Sequence, residues 1–112
     1  MNAFRNNLMV LFSALILSGC YKNEPIPTAN FSFSGNNNFE IPCNVKFTNQ
    51  STQAFSFDWY FGNDSTSTDT NPSYTYVTPG KYLVELRAYT ESRNEWASKR
   101  KEVVIKDTLR AK

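Results

Sequence analysis

The chain has 112 residues, a length that suits one domain, and 15% of them are aromatic. Twelve Lys and Arg face ten Asp and Glu, so no strongly basic field is present to attract nucleic acid. Histidine is absent, which removes the commonest general base and metal ligand. There is no Gly-x-Ser-x-Gly elbow, phosphate loop or zinc-spaced cysteine pair. The acidic residues fall at turns or at outward strand positions, where they read as solvated charges. The chain therefore reads as a non-enzyme.

Arg5 precedes an apolar run of ten residues, Leu8 to Leu17 (LMVLFSALIL). A spanning helix needs about 20 apolar residues, so this run fits the core of a signal peptide instead. A plain cleavage site before Cys20 would want small residues at −1 and −3, yet the −3 residue is Leu17. Leu17-Ser18-Gly19-Cys20 resembles the lipobox of bacterial lipoproteins at all four positions. The resemblance implies that residues 1–19 are removed and that Cys20 carries diacylglycerol and an N-acyl chain. Two or more acyl chains make a stable anchor, at about 0.8 kcal/mol per buried CH₂. It also implies a place in the bacterial envelope, at the outer membrane. Cys20-Tyr21-Lys22-Asn23-Glu24 faintly resembles the acidic surface-export tag of Bacteroidota lipoproteins, which would extend this to the cell surface. The alternative is a plain signal peptide followed by a chance cysteine, and then a 20–43 disulfide is open.

Loss of residues 1–19 takes away Arg5 alone among the charges and leaves a balance of +1. Residues 20–28 form the lipidated cysteine and a tether, in which Pro25 and Pro27 favour an extended chain. From Ala29 the apolar period is two. Phe31 and Phe33 alternate, then Cys43, Val45 and Phe47, then Phe55, Phe57, Trp59 and Phe61. Tyr74 and Tyr76 follow, then Tyr82, Val84, Leu86 and Ala88, then Val103 and Ile105. Turn signals separate the runs, among them Gly62-Asn63-Asp64, Asn71-Pro72 and Pro79-Gly80. The spacing predicts an all-β antiparallel sandwich or barrel over residues 29–107, with 108–112 as a tail. Cys43 reads as a buried, inert thiol. Lys99-Arg100-Lys101 reads as a solvated stretch of strand. The aromatic richness reads as core filling in a domain without disulfide staples.

At Trp59 the pattern becomes specific. Trp59-Tyr60-Phe61-Gly62-Asn63-Asp64 is followed by the Ser/Thr-rich run Ser65 to Thr70, Asn71-Pro72 and Tyr74-Thr75-Tyr76. Pro79-Gly80-Lys81-Tyr82-Leu83-Val84-Glu85-Leu86 completes the series. In order and spacing this resembles the PKD domain, whose centre reads Trp-Asp-Phe-Gly-Asp-Gly, Asn-Pro, His-x-Tyr and Pro-Gly-x-Tyr-x-Val-x-Leu. Val45 to Thr52 resembles that family's second strand and turn. The resemblance implies an Ig-like sandwich of about seven strands, with Phe57, Trp59 and Phe61 in the core. This chain departs at Tyr60, Asn63, Asp64 and Tyr74, where the family has Asp, Asp, Gly and His. Some PKD domains bind calcium, which wants six to eight oxygens. Asp64 and Asp69 are the calcium candidates here, and no cofactor beyond the covalent lipid is expected. Asp64-Ser65-Thr66 and Asp107-Thr108-Leu109 resemble the O-glycosylation triplet of Bacteroidota.

The sheet holding the third strand and the last two should turn Tyr60, Arg87 and Tyr89 outward, with Trp96 near their hairpin. Tyr, Trp and Arg are the types enriched at interaction hot spots, so these four form a candidate contact face. The alternative is an ordinary mixed β-surface. Two functions are in view. One is a lipid-anchored module that binds a protein or glycan. The other is a structural accessory subunit or spacer of a larger envelope complex.

Overall fold

The computed structural model describes residues 24–107. Seven strands follow one another along them. They are β1 (Phe31–Gly35), β2 (Cys43–Asn49), β3 (Ser56–Tyr60), β4 (Thr66–Ser67), β5 (Ser73–Tyr76), β6 (Gly80–Tyr89) and β7 (Trp96–Ile105). One 3₁₀ turn, Asn37–Phe39, interrupts them. Two antiparallel sheets result, ordered β1-β2-β5 and β4-β3-β6-β7. The period of two explains this arrangement, because each strand hides one face between the sheets and shows the other to water.

The hidden faces carry Phe31, Cys43, Val45, Phe47, Trp59, Phe61, Tyr76, Val84, Leu86, Val103 and Ile105. Rings run through this core in a chain. Trp59 meets Phe31 edge-on at 5.1 Å and Phe47 at 5.4 Å, and Phe61 stacks on Tyr74 at 4.8 Å. Each such pair adds about 0.5–1.5 kcal/mol beyond simple burial. Polar groups on the core aromatics are satisfied. Trp59 Nε1 donates to the Asp69 carbonyl at 2.9 Å, and the Tyr76 hydroxyl donates to the Phe61 carbonyl at 2.8 Å. Cys43 is a free, fully buried thiol whose Sγ donates to the Asn36 carbonyl at 3.3 Å, and burial pushes its pKa up.

The turn after β3 needs its glycine. Gly62 has φ +93°, and a Cβ there would stand 3.0 Å from the Leu83 amide nitrogen. Asn71-Pro72 ties β2 to the chain before β5. The Asn71 side chain accepts from the Asn49 amide at 2.8 Å, and the Pro72 carbonyl accepts from the Phe47 amide at 2.9 Å.

Two expectations change. Phe55, which continues the alternation of β3 backwards, lies just before the strand and is 66% exposed. Residues Glu24 to Thr28, read as tether, lie against the domain. Thr28 and Thr52 exchange backbone hydrogen bonds at 3.0 and 3.1 Å, Pro27 is buried, and Glu24 accepts from the Ser92 hydroxyl at 2.8 Å. The physical reason is backbone pairing. Thr28 finds partners on the chain after β2, and composition alone does not reveal such a partner. Cys20, the signal segment and the 108–112 tail lie outside the described residues.

Candidate contact face

The outward face of the β3-β6-β7 layer is built by register. Asp58 stands opposite Arg87, Tyr60 opposite Glu85, and Ser56 opposite Tyr89. On the other side Tyr89 stands opposite Trp96, Arg87 opposite Ser98, and Glu85 opposite Arg100. Alternation along β6 therefore puts Glu85, Arg87 and Tyr89 in one row, flanked by Tyr60 and Trp96. All four residues singled out from the sequence come together here.

Arg87 is the centre of the group. Its guanidinium carbon lies 5.0 Å from the Tyr60 ring centre and 4.8 Å from the Trp96 ring centre. Its Nε donates to Glu85 Oε2 at 2.9 Å. That hydrogen bond raises the Arg87 pKa above its already high ordinary value and so holds the positive charge firmly. Glu85 also reaches Arg100 at 3.5 Å. The second arginine of the face is Arg93, from the β6–β7 turn. Its guanidinium carbon lies 3.8 Å from the Tyr89 ring centre, and it pairs with Asp58 at 3.1 Å and Ser56 at 2.9 Å. Tyr89 is thereby only 8% exposed, and burial pushes its hydroxyl pKa up. Trp96 remains 47% exposed. The face is a ladder of rings and guanidinium planes, Tyr60–Arg87–Trp96 beside Tyr89–Arg93. Each cation–π contact is worth about 0.5–1 kcal/mol at an exposed site.

Arg93 was not among the sequence candidates. It sits in a turn with φ +64°, where the backbone folds it back over β6. Only the turn geometry carries that information. Beside Tyr60 lies a shallow depression of about 230 Å³, lined by Tyr60, Gly62, Asp64, Leu83, Glu85 and Arg100 among others.

The two calcium candidates lie on either side of β4, Asp64 before it and Asp69 after it. Among the described residues no three acidic, cysteine or histidine side chains come together as a metal group. Asp69 serves the fold through its backbone carbonyl, which accepts from Trp59. Asp64 sits in the turn at φ +73°. Two departures from the PKD pattern meet in that turn. Asn63 Nδ2 donates to the Tyr74 hydroxyl at 3.0 Å, and that hydroxyl shares a 3.0 Å hydrogen bond with Ser65. The Asn63 side-chain Oδ1 accepts from the Ser65 amide at 3.3 Å. The loop is thus tied by neutral hydrogen bonds within the chain.

Known proteins of similar sequence or shape point one way. The chain is 30% identical over 98 residues to collagenase ColA of Bacillus cereus. That match covers 87% of this chain but only 10% of the collagenase, so the chain spans about a tenth of that relative. The PKD1 domain of Vibrio anguillarum Epp has a TM-score of 0.64 at 22% identity, covering 76% of this chain and 99% of that domain. The PKD1 domain of the Vibrio cholerae metalloprotease PrtV has a TM-score of 0.63 at 23% identity, covering 73% and 99%. These two likenesses show the fold. The sequence model of the PKD domain matches residues 22–105, and with its motifs and sandwich in place the chain belongs to the PKD domain family.

Proposed function

We propose that this PKD domain is a lipid-anchored module of a bacterial envelope that binds a protein or glycan through the Tyr60–Arg87–Trp96 face. The observation that carries the reading is the pinned arginine. Two rings and Glu85 hold Arg87 in place, so little side-chain freedom is left for binding to remove. Trp96 and the depression beside Tyr60 offer open surface at the two ends of the same row. Tyr, Trp and Arg at the centre of a patch are the usual anchors of an interface. The anchor rests on Leu17-Ser18-Gly19-Cys20, with residues 1–19 as signal peptide and Cys20 as the lipidated residue. Its place would be the outer membrane, with surface display as an extension.

A glycan ligand draws support from a solved structure of carbohydrate-binding modules of the β-sandwich superfamily, similar at a TM-score of 0.69 and 24% identity. That likeness is one of fold, covering 77% of this chain and 36% of the other. A second reading, a spacer or accessory subunit in a larger envelope assembly, is favoured by a different observation. Arg93 is already paired with Asp58 and laid over Tyr89 within the chain, as it would be in a domain that only spaces. No metal is proposed at Asp64 and Asp69.

Gentle detergent purification of the tagged full-length protein from its own membranes separates the two. The binding module is expected free of stoichiometric companions, with a Tm that rises on adding its glycan or protein ligand. A fixed set of envelope proteins at one-to-one ratio would replace it with the subunit reading. Mass spectrometry of the Cys20 peptide is expected to show the acyl mass, and an unmodified cysteine would remove the anchor.

A further inference from the structure

We propose that the end of the sandwich around Phe55 and the β6–β7 turn lies against the lipid surface to which Cys20 is anchored. The inference rests on the lipid-anchor reading above and gives it an orientation. The chain is fastened to the domain from Glu24 onward. Glu24 accepts from the Ser92 hydroxyl at 2.8 Å and from the Ser92 amide at 3.3 Å, and Thr28 pairs with Thr52. Only residues 21–23 separate Cys20 from that fastened stretch. Four links of at most about 3.6 Å span about 14 Å, so the Glu24 end of the domain cannot stand farther than that from the anchor.

The same end carries apolar surface with no cover. Phe55 is 66% exposed, and Ile26, within the fastened segment, is 65% exposed. Phe55, Pro25, Ala54 and Thr90 line a cleft of about 430 Å³ together with Gln53, Glu24 and Glu91. The headgroup boundary is the natural place for such a ring, and the anchor keeps it there without affinity of its own. Charge adds nothing to the contact. Glu24, Glu91 and Glu95 are acidic, and Arg93 is already paired with Asp58. Contact should therefore not strengthen as the anionic lipid share rises.

The opposite end supplies the control. β6 runs ten residues from Gly80 to Tyr89, about 30 Å at 3.3 Å per residue. Val77, 69% exposed, lies in the turn before Gly80 at the far end. The full-length acylated protein is placed in phosphatidylethanolamine–phosphatidylglycerol vesicles containing brominated lipid. Two variants, both carrying Trp96→Phe, place a reporter as Phe55→Trp or Val77→Trp. Both sites are exposed, and buried Trp59 is common to the two. The expected result is a several-fold greater loss of emission for Phe55→Trp, with no gain on raising phosphatidylglycerol. Equal loss in the two variants, or greater loss for Val77→Trp, with the Cys20 acyl mass present, would overturn the orientation alone. A missing acyl mass would overturn the anchor and the orientation together.

Discussion

Trp59 sets the cost of error at single residues. It is fully buried, touches Phe31, Phe47 and Phe61, and donates its indole N–H to the Asp69 carbonyl. Trp59→Ala should cost about 3–5 kcal/mol in urea unfolding, a large part of a small domain's stability. Gly62→Ala should cost about 1–2 kcal/mol in the same measurement, because φ +93° forces a Cβ into the left-handed region beside Leu83. Tyr76 gives a pH signature. Burial raises its hydroxyl pKa well above the ordinary value near 10, with Tyr74 and Tyr82 adding to the effect. The folded state thus keeps a proton that the unfolded chain loses. The stability from this group is complete below about pH 10 and falls as pH rises toward the folded pKa. Tyr89 shifts the same way. Tyr76→Phe should lower stability by about 1–3 kcal/mol at neutral pH, through the orphaned Phe61 carbonyl, and should flatten part of the alkaline fall in Tm.

Strands and turns decide how the face is assembled. The period of two is enough to put Tyr60, Arg87 and Tyr89 on one side, because alternation fixes sides. It does not reveal that Tyr89 is buried under Arg93, since the turn that returns Arg93 across β6 leaves no periodic trace. Nor does it reveal Glu85 bridging two arginines, which needs the register of β6 on β7. The core strands are legible through their rings and through Asn71-Pro72 and Pro79-Gly80. Glu24 to Thr28 are not, because Thr28 pairs through its backbone. A double-mutant cycle of Arg87→Ala and Trp96→Ala should return a coupling of about 0.5–1 kcal/mol in thermal unfolding. Additivity would mean that the two side chains do not stack.

The described residues form a sandwich with a long edge to protect. Among the described residues, β7 has ten and pairs along its length with β6 alone, apart from contacts of Lys106 with Phe39, Glu40 and Ile41 at its end. Its Lys99-Arg100-Lys101 run places charge along that edge, and Lys101 lies 5.4 Å from the Phe31 ring centre. Edge lysines of this kind oppose pairing with a second sheet. Lys99→Val with Lys101→Val should raise self-association, read by light scattering, while the wild type stays monomeric at the same concentration.

If the Tyr60–Arg87–Trp96 row is where this PKD domain meets its partner, a change at Trp96 must weaken the complex. The quantity to measure is the affinity of the purified ligand for wild-type protein, Trp96→Ser and, as a distant control, Val77→Ser. A hot-spot residue worth about 2 kcal/mol predicts roughly thirtyfold weaker binding for Trp96→Ser and wild-type affinity for Val77→Ser. Unchanged affinity in a folded Trp96→Ser protein would contradict this assignment and move the contact to another face.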